Sequence, residues 1–203
     1  MTTRRGWLSW LFVALLAGAG CGGGVPLESP QVVTAPAPVP TYGTPDRVLL
    51  EDSLQGRQLS PQEAANLSDR MLTEGCSSFQ DEKTMARLEL LLYKALKTDD
   101  RQSRPRVLRN LGIVHYHQQE YKRARQELQK ANELNPRDAR THFYLARLYT
   151  HQGQIYQKKG LRKKARGQFK LADIELGQAR KLEPSNPLYR QKLKEVIHQE
   201  HLK

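Results

Sequence analysis

The sequence predicts an all-α fold, a short solenoid of stacked helix hairpins behind a cleaved leader and a proline-rich tether. Three observations predict it. Beyond Pro61 no run alternates β-branched and polar residues as a strand would, and proline recurs only at Pro105, Pro136, Pro184 and Pro187, where helices can join. Leu108, Leu111, Gly112 and His115 recur 34 residues later as His142, Leu145, Ala146 and Tyr149. Ala124, Leu128, Ala131, Leu134 and Pro136 recur 48 residues later as Ala172, Leu176, Ala179, Leu182 and Pro184. A spaced pattern repeated at intervals of tens of residues marks stacked supersecondary units.

The chain has 203 residues, 33 Lys+Arg against 21 Asp+Glu and 38% apolar residues, enough for one modest domain with extensions and too little for a large enzyme. Its two cysteines exclude a disulfide-dense scaffold and a four-cysteine zinc site.

Taken in order, the first element is a leader over residues 1–20. Arg4 and Arg5 precede an apolar run from Trp7 to Leu16, and Ala17-Gly18-Ala19-Gly20 closes it before Cys21. A run of about a dozen residues is short of the roughly 20 that a permanent spanning helix needs. The small residues before Cys21 resemble the lipobox of bacterial lipoproteins, with Gly18 where that family usually has Leu. The resemblance implies cleavage before Cys21 and acylation of the cysteine; the alternative is an ordinary cleaved signal with an incidental cysteine. Gly22, being non-acidic, implies sorting to the outer membrane under the bacterial lipoprotein rule. With Cys21 acylated, Cys76 is the one remaining thiol and is expected to be a buried small residue.

Residues 21–59 read as a lipid anchor and flexible linker, because Pro36, Pro38, Pro40 and Pro45 favour extended backbone. Ser60-Pro61-Gln62-Glu63 then places a capping hydroxyl, a proline at the first helical position and a carboxylate three residues after the cap. Pro61 to Glu74 and Asp81 to Lys97 form a degenerate helix pair, with Leu67, Met71, Leu88, Leu91, Leu92 and Leu96 as core candidates.

The unit from Pro105 to Asp138 resembles the tetratricopeptide repeat (TPR): Leu108, Leu111, Gly112 and His115, then Tyr121, Ala124, Leu128, Ala131 and Pro136. Leu108 stands where that family has tryptophan and His115 where it has tyrosine. The second unit, 139–184, is 14 residues longer, close to four helical turns. They divide between the two helices, with the hairpin tip near Lys159-Gly160-Leu161; the alternative is a separate loop. Asn186-Pro187 starts a capping helix over 186–203 with Leu188, Leu193 and Ile197 on one side.

In a solenoid the first helix of each pair lines the concave face. The residues there that the packing pattern does not use are Arg106, Arg109, Asn110, Ile113, Tyr116 and His117, then Arg140, Phe143, Tyr144, Arg147 and Thr150. Arginine among aromatics suits a groove for an extended peptide or carboxylate-bearing tail. The alternative is a solvated face with no single ligand.

Charge is unevenly distributed: −2 over residues 22–60, −3 over 61–100 and +15 over 101–203. Lys158, Lys159, Arg162, Lys163, Lys164, Arg166 and Lys170 crowd the lengthened hairpin as a basic docking surface for an acidic protein, an anionic lipid or lipopolysaccharide, or cell-wall polymer. Export argues against nucleic acid as the reason for the charge, a reading that only failure of export would revive. His115 and His117 point to different helix faces, His198 and His201 lie at the chain end, and no nucleophile elbow, phosphate loop or HExxH helix occurs, so no enzyme, metal or cofactor is expected. Small lipoproteins with such repeats resemble the pilotins that assist type IV pilus secretins. That resemblance implies a periplasm-facing scaffold for an envelope complex; adhesion to lipopolysaccharide or peptidoglycan through the hairpin is the alternative.

Overall fold

A computed structural model describes residues 44–190 and Leu193. The expected signal, Cys21 and the tether up to residue 43 lie outside the described residues, as do Ile197, His198 and His201.

Seven α-helices and no strands make up the described residues: α1 (Thr44–Gln55), α2 (Pro61–Met71), α3 (Glu82–Leu96), α4 (Arg104–His117), α5 (Tyr121–Leu134), α6 (Ala139–Lys158) and α7 (Arg162–Leu182). They stack as three antiparallel hairpins, α2 on α3, α4 on α5 and α6 on α7. The cap at Ser60 forms reciprocally: the Glu63 amide donates to Ser60 Oγ at 3.3 Å and the Ser60 amide to Glu63 Oε2 at 2.9 Å. Asp81 and Asp138 cap α3 and α6 without the reciprocal bond, accepting the Thr84 and Thr141 amides at 3.3 and 3.2 Å.

The core follows the repeat spacing. Gly112 of α4 lies so close to α5 that a Cβ there would stand 2.6 Å from the Leu128 side chain and 3.2 Å from the Ala124 carbonyl. Ala124, Leu128 and Ala131 are buried from α5, and Ala172, Leu176 and Ala179 from α7. Both hairpins turn by one geometry. After α4 the Glu120 amide donates to His115 O at 2.8 Å across Gln119, whose φ is 63°; after α6 the Leu161 amide donates to Tyr156 O at 2.9 Å across Gly160, whose φ is 72°. These are the 6→1 bonds of a Schellman ending, which needs a left-handed residue. Helices α6 and α7 have 20 and 21 residues against 14 each in α4 and α5, so the added length falls almost equally on the two arms. Tyr121 at the shorter turn lies against His151 with centroids 4.0 Å apart and the rings tilted by 33°, and the α6 segment beyond that level projects roughly 12 Å.

Two expected boundaries change. The linker expected over residues 21–59 is not flexible to its end, because α1 occupies Thr44–Gln55 and buries Leu50 and Ser53 against the body. Arg70 of α2 grips Asp46 of α1 with Nη2 2.7 Å and Nε 3.0 Å from Oδ1, and Arg87 of α3 reaches Glu51 at 3.1 Å. Pro45 therefore stands in a helix's first turn, where proline is tolerated, and does not continue the extended run. At the other end Pro187–Arg190 is a 3-10 turn, and Tyr189, which the repeat pattern does not single out, is buried 5.1 Å from the Phe143 ring. Leu193 is helical and buried.

Gly167 and Gly177 sit inside α7 with open space where a Cβ would be. Replacing either with alanine is expected to raise stability by about 0.5–1 kcal/mol, whereas Gly112→Ala is expected to lower it through the Leu128 clash; thermal melts of the three variants check both signs.

Candidate partner-binding surfaces

The inner face carries the residues proposed for a groove, but α2 and the turn after it fill that face. Asp69 lies on the last turns of α2. Arg106 and Arg109 of α4 both ion-pair with its carboxylate, Asn110 Nδ2 donates to it at 2.8 Å, and Arg140 of α6 comes within 3.7 Å. Arg109 also reaches the α6 cap, Asp138, at 3.1 Å. Burial pushes the Asp69 carboxyl up, yet the Arg109 charge and the hydrogen bonds from Arg106 and Asn110 outweigh it and hold the group below the usual carboxylate range.

A second carboxylate, Glu74, takes the far end of the same face. Arg147 Nη1 donates to it at 2.9 Å and the Tyr144 hydroxyl donates to the same oxygen. The Arg147 guanidinium is buried among Tyr116, Tyr144 and Phe143, 4.8, 5.1 and 5.6 Å from their ring centroids. His117 stacks flat on Phe79 at 3.9 Å, its Nε2 3.3 Å from the Tyr144 oxygen. Because that hydroxyl gives its proton to Glu74, the Nε2–H of a neutral His117 is the donor to it. Burial, with the charges of Arg147 and Arg140, lowers the His117 pKa to about 3.

The expectation of an open groove is thereby corrected. Arg109, Asn110, Ile113, Tyr116, Phe143, Tyr144, Arg147 and Thr150 are buried, and Arg106, His117 and Arg140 are half-buried with partners. The physical reason is the convergence of α2, α4 and α6: in so short a stack the first helices meet, and their polar side chains find one another before they meet a ligand. Spacing carried no sign of Asp69 and Glu74, which lie 37 or more residues from the arginines they bind.

The basic set behaves differently. Lys158, Lys159, Arg162, Lys163, Lys164, Arg166 and Lys170 are all exposed, and among the described residues none forms an ion pair. Lys164 lies 5.9 Å over the Tyr156 ring. Leu161, at the tip between Gly160 and Arg162, is 41% exposed. Closure of this arm rests on Ala165, which is buried, and on Gly153, where a Cβ would meet the Phe169 ring at 2.6 Å. Cys76 is buried and unpaired. Among the described residues no group of three or more His, Cys, Asp or Glu could hold a metal, and no helix is long and apolar enough to cross a membrane.

Two family models, each described as tetratricopeptide repeat, match the chain, one over residues 105–138 and the other over 127–159. The first spans α4 and α5; the second joins the later part of α5 to α6. The chain carries tetratricopeptide repeats, which serve protein–protein interaction, and neither match is to a catalytic family. No curated protein matches the chain as a relative.

Asp69→Ala is expected to cost about 1–3 kcal/mol, because it removes the ion-pair partner of Arg106 and leaves the buried Arg109 with Asp138 as its one carboxylate, and Asp69→Asn less; urea midpoints give both values. His142 and His117 titrate with opposite effect. Bonding to Glu175 at 2.6 Å and to the Pro136 carbonyl at 3.0 Å raises the His142 pKa, so its contribution is complete below about 6.5 and is lost as pH rises through the higher folded value. His117 acts the other way, costing stability as pH falls from 6.5 toward about 3. Unfolding of His142→Gln from about pH 4 to about pH 9 is expected to show a flatter alkaline limb, and of His117→Phe a flatter acid limb.

Proposed function

We propose that this chain is a membrane-tethered scaffold of a bacterial cell envelope, whose repeats present the α6–α7 hairpin to a protein partner in an envelope assembly. The observation that carries this reading is the contrast between the two charged surfaces. The inner arginines are consumed by Asp69, Asp138 and Glu74, whereas the hairpin cations stand on a projection that the fold does not use and have no ion-pair partner among the described residues. A lengthened, solvent-facing basic arm suits recognition of an acidic surface, giving orientation and fast association.

The tether rests on the leader and on Cys21, and the periplasm-facing outer membrane location on Gly22. In its specific form the scaffold assists a type IV pilus or secretion machine, by its resemblance to pilotin-type lipoproteins. The density of cations at the hairpin also favours a second reading, adhesion to lipopolysaccharide or peptidoglycan.

One set of variants separates the readings. Lys163→Glu, Lys164→Glu and Arg166→Glu together are expected to abolish capture of a defined protein set from detergent-solubilised membranes, with purified lipopolysaccharide and peptidoglycan binding weakly to both forms. Strong polymer binding that the reversal removes would establish the second reading in place of the first. A captured set without secretin or pilus components would sink the pilotin form, and a Cys21→Ala protein that stays in the membrane fraction and still incorporates radioactive fatty acid would sink the anchor.

A further inference from the structure

The outer face of α7 bears a stripe that the repeat packing leaves unused. Gly167, Leu171, Ile174, Gln178 and Leu182 fall on one arc of the helix, opposite the side on which Ala165, Ala172, Leu176 and Ala179 are buried. Leu171, Ile174 and Leu182 are 40%, 50% and 36% exposed. Lys163, Lys170 and Lys181 run along one border of the arc, all exposed and none ion-paired among the described residues. Gly167 has no atom within 4 Å of where a Cβ would stand, so the fold gains no packing from a glycine there and the stripe has a notch at its upper end. From Gly167 to Leu182 the stripe is about 22 Å long, the length of about four helical turns.

We propose that this stripe docks an amphipathic helix of the protein partner, apolar along one side and bordered by aspartate or glutamate. Its apolar side chains interdigitate with Leu171, Ile174 and Leu182, the notch at Gly167 admits its backbone closely, and its carboxylates meet Lys163, Lys170 and Lys181. A glycan or lipid headgroup has no row of apolar side chains to fill a straight stripe of this length. A second copy of the chain packed antiparallel across a two-fold axis brings lysine against lysine, which opposes that pairing. The inference rests on the protein-scaffold reading above and assigns the floor of the same docking arm.

The test uses the full chain and a fluorescein-labelled synthetic helix with leucines along one side and glutamates on the border, beside a version with lysines in place of the glutamates. By fluorescence anisotropy the glutamate peptide is expected to bind at least about tenfold more tightly than the lysine peptide and to weaken with salt. Leu171→Glu with Ile174→Glu, both at exposed positions, is expected to reduce that binding by about tenfold or more with an unchanged circular dichroism spectrum. Equal affinity for the two peptides, or no binding of the glutamate peptide, overturns the proposal. Binding lost on charge reversal at Lys163, Lys164 and Arg166 but kept in the Leu171/Ile174 variant also overturns it, and leaves the docking arm itself standing. A dimer in sedimentation that the Leu171/Ile174 variant dissociates assigns the stripe to a second copy instead. Failure of membrane capture in the preceding experiment, with peptide binding intact, removes the scaffold reading and keeps the stripe.

Discussion

The Asp69 carboxylate is the constraint around which the three hairpins are arranged. It is the point where α2, α4 and α6 meet, and Arg106, Arg109, Asn110 and Arg140 all converge on it. A buried carboxylate is tolerable only when its charge is met and its lone pairs are filled. Both conditions require the helices to hold one relative position. Arg109 extends the network by bridging Asp69 to Asp138, which at the same time caps α6. The start of the second repeat is thus tied to the last turns of α2, the first helix of the degenerate pair. Hydrophobic burial supplies most of the cohesion between hairpins, but it is non-directional; the charge network selects one packing among those the apolar faces would accept.

The same network explains what happens to the positive charge. Cations pointing inward are arginines, Arg106, Arg109, Arg140 and Arg147, whereas five of the seven on the hairpin arm are lysines. Guanidinium suits the interior, since its planar fork shares several acceptors and stacks on rings, as Arg147 does on Tyr116 and Tyr144. Ammonium is more strongly hydrated and stays at the surface on a flexible stem. The excess of +15 over residues 101–203 is therefore two populations. One completes the acidic first pair, which explains why residues 61–100 are net negative, and the other remains outside.

Legibility followed the range of the interaction. The start of α2 could be read because Ser60, Pro61 and Glu63 act within one turn, and the small residues at Gly112, Ala146 and Ala172 mark contacts between neighbouring helices in a repeated pattern. Residues 44–55 were harder. Pro45 and the polar residues resemble the run before them, and α1 owes its place to burial of Leu50 and to Arg70 and Arg87 of α2 and α3, tertiary partners that no local pattern announces. The burial of the inner arginines was not legible, because Asp69 and Glu74 reach them from a unit whose repeat spacing has decayed. Gln119 carried no signal either: a non-glycine residue at φ 63° is held there by the turn around it, where the longer hairpin uses Gly160.

That lengthened hairpin is the part of the fold least explained by stability. Extending both arms of a hairpin by about two turns keeps their contacting faces in register, so Phe169 still closes over Gly153 and Ala165 remains buried. Yet the extension gathers like charges within a Debye length of one another and places glycine in the interior of α7, and both choices work against the helix. Neither is required by the core, which ends near the level of Tyr121 and His151. The stability of the isolated fold supplies no reason for either feature. An acidic, partly apolar surface would relieve the first cost by neutralising the lysines, and would also cover the exposed Leu171 and Ile174.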